Sequence, residues 1–175
     1  KGTRATRDAF CERLDTFPEG FFVAVLNKRI VGVLTSQIIS FDPGEPALGW
    51  EVTSNCGFIG KTHTPEGNAL NVVSIGIAKM FQGRGVGTAL IRKAQRFADA
   101  NGLSYVVLDS RVPDFRQNRS KYTSIKTYVC ESLRDEMFID RELYFYKRLG
   151  FNMESDNDIV KDCMSDDRQS LNYGV

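Results

Sequence analysis

The chain has 175 residues, of which 42% are hydrophobic and 26% charged, and its formal net charge is +1. This composition predicts one soluble globular domain that buries roughly 70% of the surface of its unfolded chain. The small net charge gives no reason to expect nucleic acid or an acidic membrane as a partner. No apolar stretch approaches the roughly 18 residues that span a bilayer, and we recognise no signal peptide.

The cysteines and the histidine also exclude some classes of site. The four cysteines are scattered without a C-x-x-C pair, and His63 is the single histidine. We therefore expect reduced thiols in a cytoplasmic protein and no metal site. A cysteine nucleophile at Cys130 or Cys56 would need a partner base that the sequence does not show.

The first part of the chain predicts a short helix and an antiparallel hairpin. Thr6 is suited to cap a helix over residues 7–14, in which Phe10 and Leu14 lie four residues apart on one face. A turn at Pro18-Glu19-Gly20 leads to strands over residues 21–26 and 30–39. Gly32, inside the second strand, indicates a bulge or a close approach of another element.

Residues 41–70 predict an active-site flap. The segment contains Pro43, Pro46, Pro65 and five glycines, which argue against a regular helix. A loop of this length inside a compact domain is usually functional or mobile. We expect it to cover the substrate side of a site, with an irregular extra hairpin as an alternative.

The middle of the chain predicts a strand, a glycine loop and a helix. The apolar run at residues 72–77 is rich in β-branched residues, which is typical of a buried strand. Gly83, Gly85 and Gly87 follow after a short spacer, and then a helix over residues 88–100. The predicted inner face of this helix comprises Val86, Leu90, Ala94, Phe97 and Ala98. Loop glycines and a helix N-terminus together hold phosphorylated ligands, because both present backbone N–H groups and the helix adds a partial positive charge.

The last third predicts one more parallel strand, an insert and a short helix. The strand covers residues 104–109, and the insert covers residues 111–139. Within the insert Tyr122, Ile125, Val129 and Leu133 have helical spacing, with Ser120 as the cap. Asp140 caps a helix over residues 141–149 that Gly150 ends, and one or two closing strands are expected near residues 159–160 and 171–173.

Two familiar phosphate-binding motifs fit the glycine loop poorly. A dinucleotide fingerprint needs a glycine directly after the strand and another where Thr88 stands, although Asp109 follows at a suitable distance. A P-loop needs a lysine after its second glycine, and residues 55–62 start with Asn55 where that motif has glycine.

The pattern Gln82-x-x-Gly85-x-Gly87 behind an apolar strand resembles the acyl-CoA-binding motif of the GNAT superfamily of N-acetyltransferases. That motif has Gln or Arg, two variable residues, Gly, one variable residue, and Gly or Ala. Residues 143–151, Leu-Tyr-Phe-Tyr-Lys-Arg-Leu-Gly-Phe, resemble the later family helix that ends in Phe-Tyr-x-x-Leu-Gly-Phe. The family often has Asn near the start of this helix, where this chain has Ile139 and Asp140. The two motifs occur in the family's order.

The resemblance implies an α/β fold of the GNAT type. Such a fold has a mixed, mostly antiparallel central sheet with a splayed pair of parallel strands, flanked by helices. Residues 1–175 would form a single acyl-CoA N-acyltransferase domain that lacks the first strand and helix of the fold. The flap and the insert depart from the common pattern, so we expect them to set substrate choice.

The resemblance also implies a cofactor and the groups that bind it. Acetyl-CoA would be the acyl donor, and its diphosphate would lie on the backbone N–H groups of the glycine loop. The N–H of Ile77 or Ile75 on the central strand would hold the thioester oxygen at the splay. The expected cofactor-binding residues are therefore Ile75, Ile77, Gln82, Gly83, Arg84, Gly85, Val86, Gly87 and Thr88. Arg92 and Lys93 are further charges near the phosphates.

The expected catalytic residues are Tyr146, which the resemblance implies, and Asp109, which we select by its position. Tyr146 matches the family tyrosine that protonates the departing thiolate, with Tyr144 as the alternative. Asp109 ends the second splayed strand and is the expected proton acceptor, unless Arg111 neutralises it as an ion pair. Glu66, Glu51 and His63 are further bases by position, and a lone loop histidine is usually exposed and idle.

The sequence therefore predicts an N-acetyltransferase that moves an acetyl group from acetyl-CoA to a primary amine. The expected acceptor is a small molecule or a peptide, and a homodimer is an additional expectation. Two rivals stay open. One is a non-catalytic CoA-binding or regulatory module, and the other is a nucleotide-dependent oxidoreductase.

Overall fold

A computed structural model describes residues 5–134 and 138–175 of the chain. The helices are α1 (Arg7–Thr16), α2 (Trp50–Thr53), α3 (Val86–Ala100), α4 (Phe115–Asn118), α5 (Ile125–Arg134) and α6 (Arg141–Lys147). The strands are β1 (Phe21–Leu26), β2 (Arg29–Ile39), β3 (Ala69–Ile77) and β4 (Tyr105–Leu108). The chain divides into a sheet unit, residues 5–42 and 54–108, and a helical unit, residues 43–53 and 109–175. A single domain over residues 1–175 stays a prediction.

The sheet unit contains one mixed sheet in its described residues, with strand order β1-β2-β3-β4. β1 pairs with β2 and β2 with β3 in antiparallel fashion, whereas β3 and β4 are parallel. This architecture confirms the predicted α/β fold with a mixed, mostly antiparallel sheet. Leu34, Leu70, Ile91 and Ala94 are fully buried in this unit, so the core includes residues of the central strands and of α3.

The hairpin of β1 and β2 has the predicted irregularity at Gly32. Asn27 and Lys28 form its turn with φ of 49° and 62°, the left-handed backbone that suits a two-residue hairpin. The register passes from Ala24–Gly32 to Val25–Ile30, so one residue of β2 is bulged. A Cβ atom at Gly32 would lie 2.9 Å from Cδ1 of Ile77 and 3.0 Å from Cγ1 of Val86. Both predictions for this glycine, a bulge and a close approach, are confirmed.

Helix α1 has the predicted cap. Oγ1 of Thr6 accepts the N–H of Ala9 at 3.2 Å, as expected of an N-cap threonine. The buried residues of the helix are Ala9 and Arg13, which are 2% and 1% exposed, whereas Leu14 is 50% exposed. The buried face of α1 therefore carries a cation.

Helix α3 starts two residues earlier than predicted, at Val86, and ends at Ala100. Its buried residues are Leu90, Ile91, Ala94 and Ala98, so the predicted face is largely confirmed and Ile91 is added. At 15 residues it is the longest described helix, and no described helix is both long and apolar enough to cross a bilayer.

The predicted flap contains helical turns instead of a hairpin. Residues 43–53 belong to the helical unit and include α2, whereas residues 54–68 belong to the sheet unit. A 3₁₀ turn at Ile59–Lys61 places Ile59 fully in the core of the sheet unit. Between β2 and β3, where every residue is described, there is no strand, so the alternative of an extra hairpin is wrong. That this segment covers substrate stays a prediction.

The helical unit is built on a core of aromatic and aliphatic residues. The buried members are Val112, Phe115, Tyr128, Val129 and Leu143. The predicted cap of α5 is wrong: Ser120 lies in a 3₁₀ turn, and Oγ of Ser124 accepts the N–H of Thr127 at 3.1 Å. Residues 135–137, at the end of the predicted insert, lie outside the described residues.

Helix α6 and the C-terminal segment complete the helical unit. Asp140 caps α6 as predicted, because its Oδ1 accepts the N–H of Glu142 at 3.0 Å. The prediction of closing strands is wrong. The described residues after α6 form no strand, and Gly174 forms only isolated bridges with Arg111 and Val160.

Candidate active site

The glycine loop of the sheet unit has the backbone that a phosphate cradle needs. Gly83 and Gly85 have φ of +70° and +80°, a left-handed conformation that favours glycine. A Cβ atom at either residue would meet nothing within 4 Å, so the loop needs glycine because of its backbone and not because of crowding. Both residues are exposed, and the side in front of them is open.

The glycine loop leads directly into the N-terminus of α3. Gly85 occupies the N-cap position, and no side chain among the described residues caps this helix. The first N–H groups of α3, from Val86 to Thr88, therefore depend on water or a ligand for their acceptors. An anion such as a diphosphate satisfies these donors and interacts favourably with the helix dipole.

Gln82 fixes the position of the loop relative to the end of β3. Its Nε2 atom donates a hydrogen bond to the main-chain oxygen of Ile77 at 3.1 Å. This side chain, which the sequence associates with the cofactor, therefore braces the loop against the strand that carries the expected thioester contact. Arg84 lies over the ring of Phe81 at 6.0 Å, and its exposed guanidinium can reach an anion in front of the loop.

The parallel ladder between β3 and β4 is short. It pairs Ala69 with Tyr105 and ends at Val72 and Leu108. On the other side of β3, the register with β2 shifts between Val72 and Ser74, so Val73 is a bulged residue. The pairing with β4 thus ends where β3 is bulged, and in the described sheet unit residues 74–77 pair only with β2.

The direction of the backbone groups follows from the ladder with β2. The N–H of Ala78 donates to the oxygen of Val31 on β2 at 2.9 Å. Because donors alternate along a strand, the N–H groups of Ile75 and Ile77 are directed away from β2, toward the edge that β4 leaves unpaired. Main-chain donors at such an edge can pair with an extended ligand and polarise a carbonyl oxygen.

In the helical unit, Tyr146 lies on α6 among aromatic rings. Its ring centroid is 5.0 Å from that of Phe145 and 5.8 Å from that of Phe151. Burial raises the pKa of Tyr146 above its usual value, and the charge of Glu142 raises it further. The phenol is therefore protonated at neutral pH. Its hydroxyl has no hydrogen-bond partner in the part of the chain that the structure describes.

Tyr144 has a different environment on the same helix. Its hydroxyl accepts a hydrogen bond from Nη1 of Arg148 at 3.2 Å, and its ring contacts Phe138 at 5.4 Å between centroids. Arg148 also lies 5.8 Å from the Tyr144 ring centroid. Tyr144 accepts in this hydrogen bond and keeps its own proton, so the choice of Tyr146 over Tyr144 as the acid stays a prediction from the motif.

Glu142 is a titratable residue that the sequence analysis missed. It lies four residues before Tyr146, on the same face of α6. Burial raises the pKa of Glu142 to about 7, against the nearby Arg111 guanidinium, which lowers it. A carboxyl group with this pKa exchanges its proton near neutrality, which suits a general base. The four-residue spacing from a tyrosine was the signal available in the sequence.

Asp109 does not pair with Arg111, the alternative that the sequence left open. Arg111 binds Asp167 instead, with Nη2 at 2.7 Å from Oδ1 and Nε at 2.8 Å from Oδ2. Burial raises the pKa of Asp109 to about 6, and a hydrogen bond from Sγ of Cys163 at 3.8 Å partly opposes this rise. No Lys, Arg or His of residues 5–134 or 138–175 forms an ion pair with Asp109, which suits a proton acceptor.

Two of the further base candidates have structural contacts. Oε1 of Glu51 accepts the N–H of Ser165, and hydrogen bonding to the side chain and then the backbone of Ser165 holds the pKa of Glu51 below its usual value. The expectation of an idle His63 is wrong. Its Nδ1 accepts the N–H of Ile38 at 3.1 Å, its ring stacks on Phe17, and burial lowers its pKa. Glu66 is exposed.

The sequence profile of the family described as "Acetyltransferase (GNAT) family" matches residues 2–120 of this chain. The chain is 30% identical over 170 residues to the uncharacterized N-acetyltransferase YkwB of Bacillus subtilis, and the match covers 97% of this chain and 72% of YkwB. It is 24% identical over 169 residues to the probable hydrolase YhcX of the same organism, of which it spans 32%. The name hydrolase belongs to that longer protein as a whole.

Solved structures with this fold include two GNAT-like proteins. The GphF GNAT-like decarboxylase, in complex with isobutyryl-CoA, has a TM-score of 0.81 at 24% identity, covering 98% of this chain and 83% of its own. The loading GNATL domain of CurA from Lyngbya majuscula has a TM-score of 0.76 at 20% identity, covering 98% of this chain and 81% of its own. At these identities the likeness establishes the fold alone.

Proposed function

Because this chain belongs to the acetyltransferase (GNAT) family, we propose that it is an N-acetyltransferase that moves an acetyl group from acetyl-CoA to a primary amine. One observation carries the proposal. Residues 74–77 of β3 pair only with β2 among the described strands, and Ile75 and Ile77 direct their N–H groups toward the side that β4 does not cover. An uncapped helix with a left-handed glycine loop follows that strand directly.

The sheet unit supplies the groups that hold acetyl-CoA. The diphosphate accepts hydrogen bonds from the backbone N–H groups of residues 83–88, and Arg84 adds a positive charge. The pantetheine arm extends along the unpaired edge of β3, and the N–H of Ile75 or Ile77 stabilises the negative charge on the thioester oxygen. Gln82 keeps the loop and the strand end together through its contact with Ile77.

The chemical step is a direct attack of the neutral amine on the thioester. The amine nitrogen forms a bond to the carbonyl carbon, and the bond from that carbon to sulfur breaks. Asp109 takes the amine proton, because a carboxyl with a pKa of about 6 is ionised at neutral pH. Tyr146 gives its proton to the departing thiolate. Glu142 is the rival for the role of Asp109.

The proposal is tested first by calorimetry with acetyl-CoA. We expect binding in the micromolar range that is typical of acyl donors, and no binding of NAD(H). A panel of amines then follows, including amino acids, polyamines and a peptide with a free N-terminus, with free CoA thiol as the readout. Isobutyryl-CoA serves as the comparison donor, since a protein with this fold binds it.

The outcomes separate the proposed enzyme from its rivals. Thiol release that depends on an amine supports the acetyltransferase. Binding of acetyl-CoA without release for any amine supports a non-catalytic CoA-binding module and contradicts the proposed reaction. Binding of NAD(H) in place of acetyl-CoA contradicts both the acetyltransferase and the non-catalytic CoA-binding module.

A further inference from the structure

Four polar side chains are clustered on one face of the sheet unit. Gly32 of β2 faces α3, and Thr35, three residues later on a strand without an intervening bulge, points to the opposite face. Thr35 is the register partner of Ser74 on β3, and Asn71 lies on the same face opposite Gln37, two residues further along β2. We call Arg13, Thr35, Ser74 and Asn71 the polar row.

Arg13 of α1 enters this row as a buried cation. It is 1% exposed, and its Nη1 atom donates to Oγ1 of Thr35 at 3.0 Å and to Oγ of Ser74 at 2.8 Å. Its Nε atom donates to the oxygen of Gly57 at 2.7 Å. No carboxylate of the described residues forms an ion pair with it, and burial lowers its pKa to about 10. The charge of Glu12 opposes part of this decrease in pKa, although Glu12 is not within ion-pair distance of the guanidinium.

Several hydrogens of the polar row have no acceptor. The contacts of Arg13 account for Nε and Nη1, but Nη2 has no hydrogen-bond partner in residues 5–134 or 138–175. The hydroxyl groups of Thr35 and Ser74 lie 2.9 Å apart, so one donates to the other and the second keeps a free hydrogen. The structural contacts of Arg13, which tie α1 to the strands and to Gly57, use Nε and Nη1 and leave Nη2 available to a ligand.

Asn71 adds an independent observation to this surplus. Its side chain is 2% exposed, and Nδ2 is a buried polar atom without a hydrogen-bond partner among the described residues. Buried donors are nearly always paired in folded proteins, so each exception calls for an explanation. A group that offers several acceptor oxygens and a negative charge would satisfy both Asn71 and Arg13.

We propose that the polar row binds the carboxylate of a substrate. The inference rests on the proposed function, because Ser74 directly precedes Ile75, whose N–H is assigned to the thioester oxygen. Ser74 is half-buried, so it is the member of the row through which solvent and substrate approach. The carboxylate belongs either to the amine, as in an amino acid, or to the acyl chain, as in a dicarboxylic acyl-CoA, which would then replace acetyl-CoA as the preferred donor of the proposed transfer. Both sources present the same two oxygens to Arg13 and Asn71.

The test compares pairs of ligands that differ only in this group. Succinyl-CoA and butyryl-CoA have acyl chains of similar size, and only the first ends in a carboxylate. Calorimetry on the wild-type chain is expected to show at least tenfold tighter binding of succinyl-CoA if the acyl chain is the source. If the amine is the source, the two acyl-CoAs bind alike, and kcat/KM is at least tenfold higher for amino acids than for their carboxamides.

Two variants test whether the preference for ligands that carry a carboxylate depends on the polar row. Asn71→Asp is isosteric and places a negative charge in the row, so we expect it to abolish the preference and leave the affinity for free CoA unchanged. If Asn71→Asp does not fold, Ser74→Ala is the second variant of the polar row, and we expect it to weaken the same preference. Asn101→Asp is the matched control, since it makes the same change at an exposed position after α3. The control is expected to keep the preference.

The remaining outcomes overturn the inference in distinguishable ways. If the wild-type chain binds free CoA but shows neither preference, the polar row does not bind a carboxylate, and the proposed function stands. If the preference survives in both row variants, the carboxylate is bound elsewhere. If free CoA does not bind at all, the proposed function fails and this inference fails with it.

Discussion

Val72 of β3 and Leu108 of β4 are the last paired residues of the parallel ladder in the sheet unit. The bulged residue Val73 follows immediately, and the remainder of β3 pairs with β2 alone among the described strands. This relationship creates a strand edge with main-chain donors at Ile75 and Ile77. Since the glycine loop lies a few residues beyond that edge, one continuous piece of backbone presents the donors for both the thioester and the diphosphate of the proposed acyl-CoA.

Gly85→Ala is expected to weaken acyl-CoA binding at least tenfold. Gly85 has φ of +80°, and an alanine held in the left-handed region costs about 1–2 kcal/mol, so the loop is expected to move away from its cradle geometry. Calorimetry with acetyl-CoA measures the change. Gly102→Ala is the control, because Gly102 ends the same helix with φ of +70° and is equally uncrowded. Equal loss of affinity in both variants would contradict the cradle.

Tyr146→Phe is expected to lower kcat by about 10²–10³-fold, the range of general acid catalysis, with an unchanged Kd for acetyl-CoA. The substitution removes only the hydroxyl and keeps the ring contacts with Phe145 and Phe151. Tyr144→Phe on the same helix is the control and should keep at least half of the activity. Full activity of the Tyr146 variant would exclude the phenol from the mechanism.

The pH dependence of kcat/KM is expected to identify the proton acceptor. A carboxyl base acts when ionised, so the rate rises with pH through its pKa, which is about 6 for Asp109 and about 7 for Glu142. Asp109→Asn should lower the rate at least 100-fold and remove the limb near pH 6. Glu142→Gln should keep that limb. The reverse pattern would assign the role to Glu142 and overturn the assignment of Asp109.

Gly32→Ala is expected to destabilise the fold by about 1–3 kcal/mol, because a new methyl group is forced into a packed contact. Its carbon would lie 2.9 Å from Cδ1 of Ile77 and 3.2 Å from Cδ1 of Leu90. Urea unfolding measures the loss. Gly76→Ala is the strand control, since its methyl would lie 3.8 Å from Cγ1 of Val33, and we expect a change within about 0.5 kcal/mol. Similar losses would show that crowding against α3 is not the cause.

Two features of the sheet unit that the sequence does not predict have a common physical source. Apolar spacing groups Phe10 and Leu14 on one face of α1, but the buried positions are Ala9 and Arg13. His63 was expected to be idle, but Ile38 donates a hydrogen bond to it from another segment of the sheet unit. The spacing of apolar residues cannot predict that a polar side chain is buried when its hydrogen-bond partners come from distant parts of the sequence.

The sequence by itself determined the parts that depend on neighbouring residues. The β-branched run predicted β3, the glycines at 83 and 85 predicted a loop with exposed backbone N–H groups before α3, and Asp140 predicted the start of α6. Each of these rests on backbone preferences within a few positions, so the residue types alone carry the information. The family resemblance rests on the same local patterns.

Only the tertiary structure decided which side chains are buried and which of them form hydrogen bonds or ion pairs with distant residues. Arg13 donates hydrogen bonds to Gly57 and Ser74, which are 44 and 61 residues away in the sequence. Arg111 donates a hydrogen bond to Asp167, at a separation of 56 residues. The pKa of Glu142 and the missing acceptor for Asn71 likewise follow from side chains that converge from distant segments. Burial and electrostatics depend on distances in space, and local sequence patterns do not encode them.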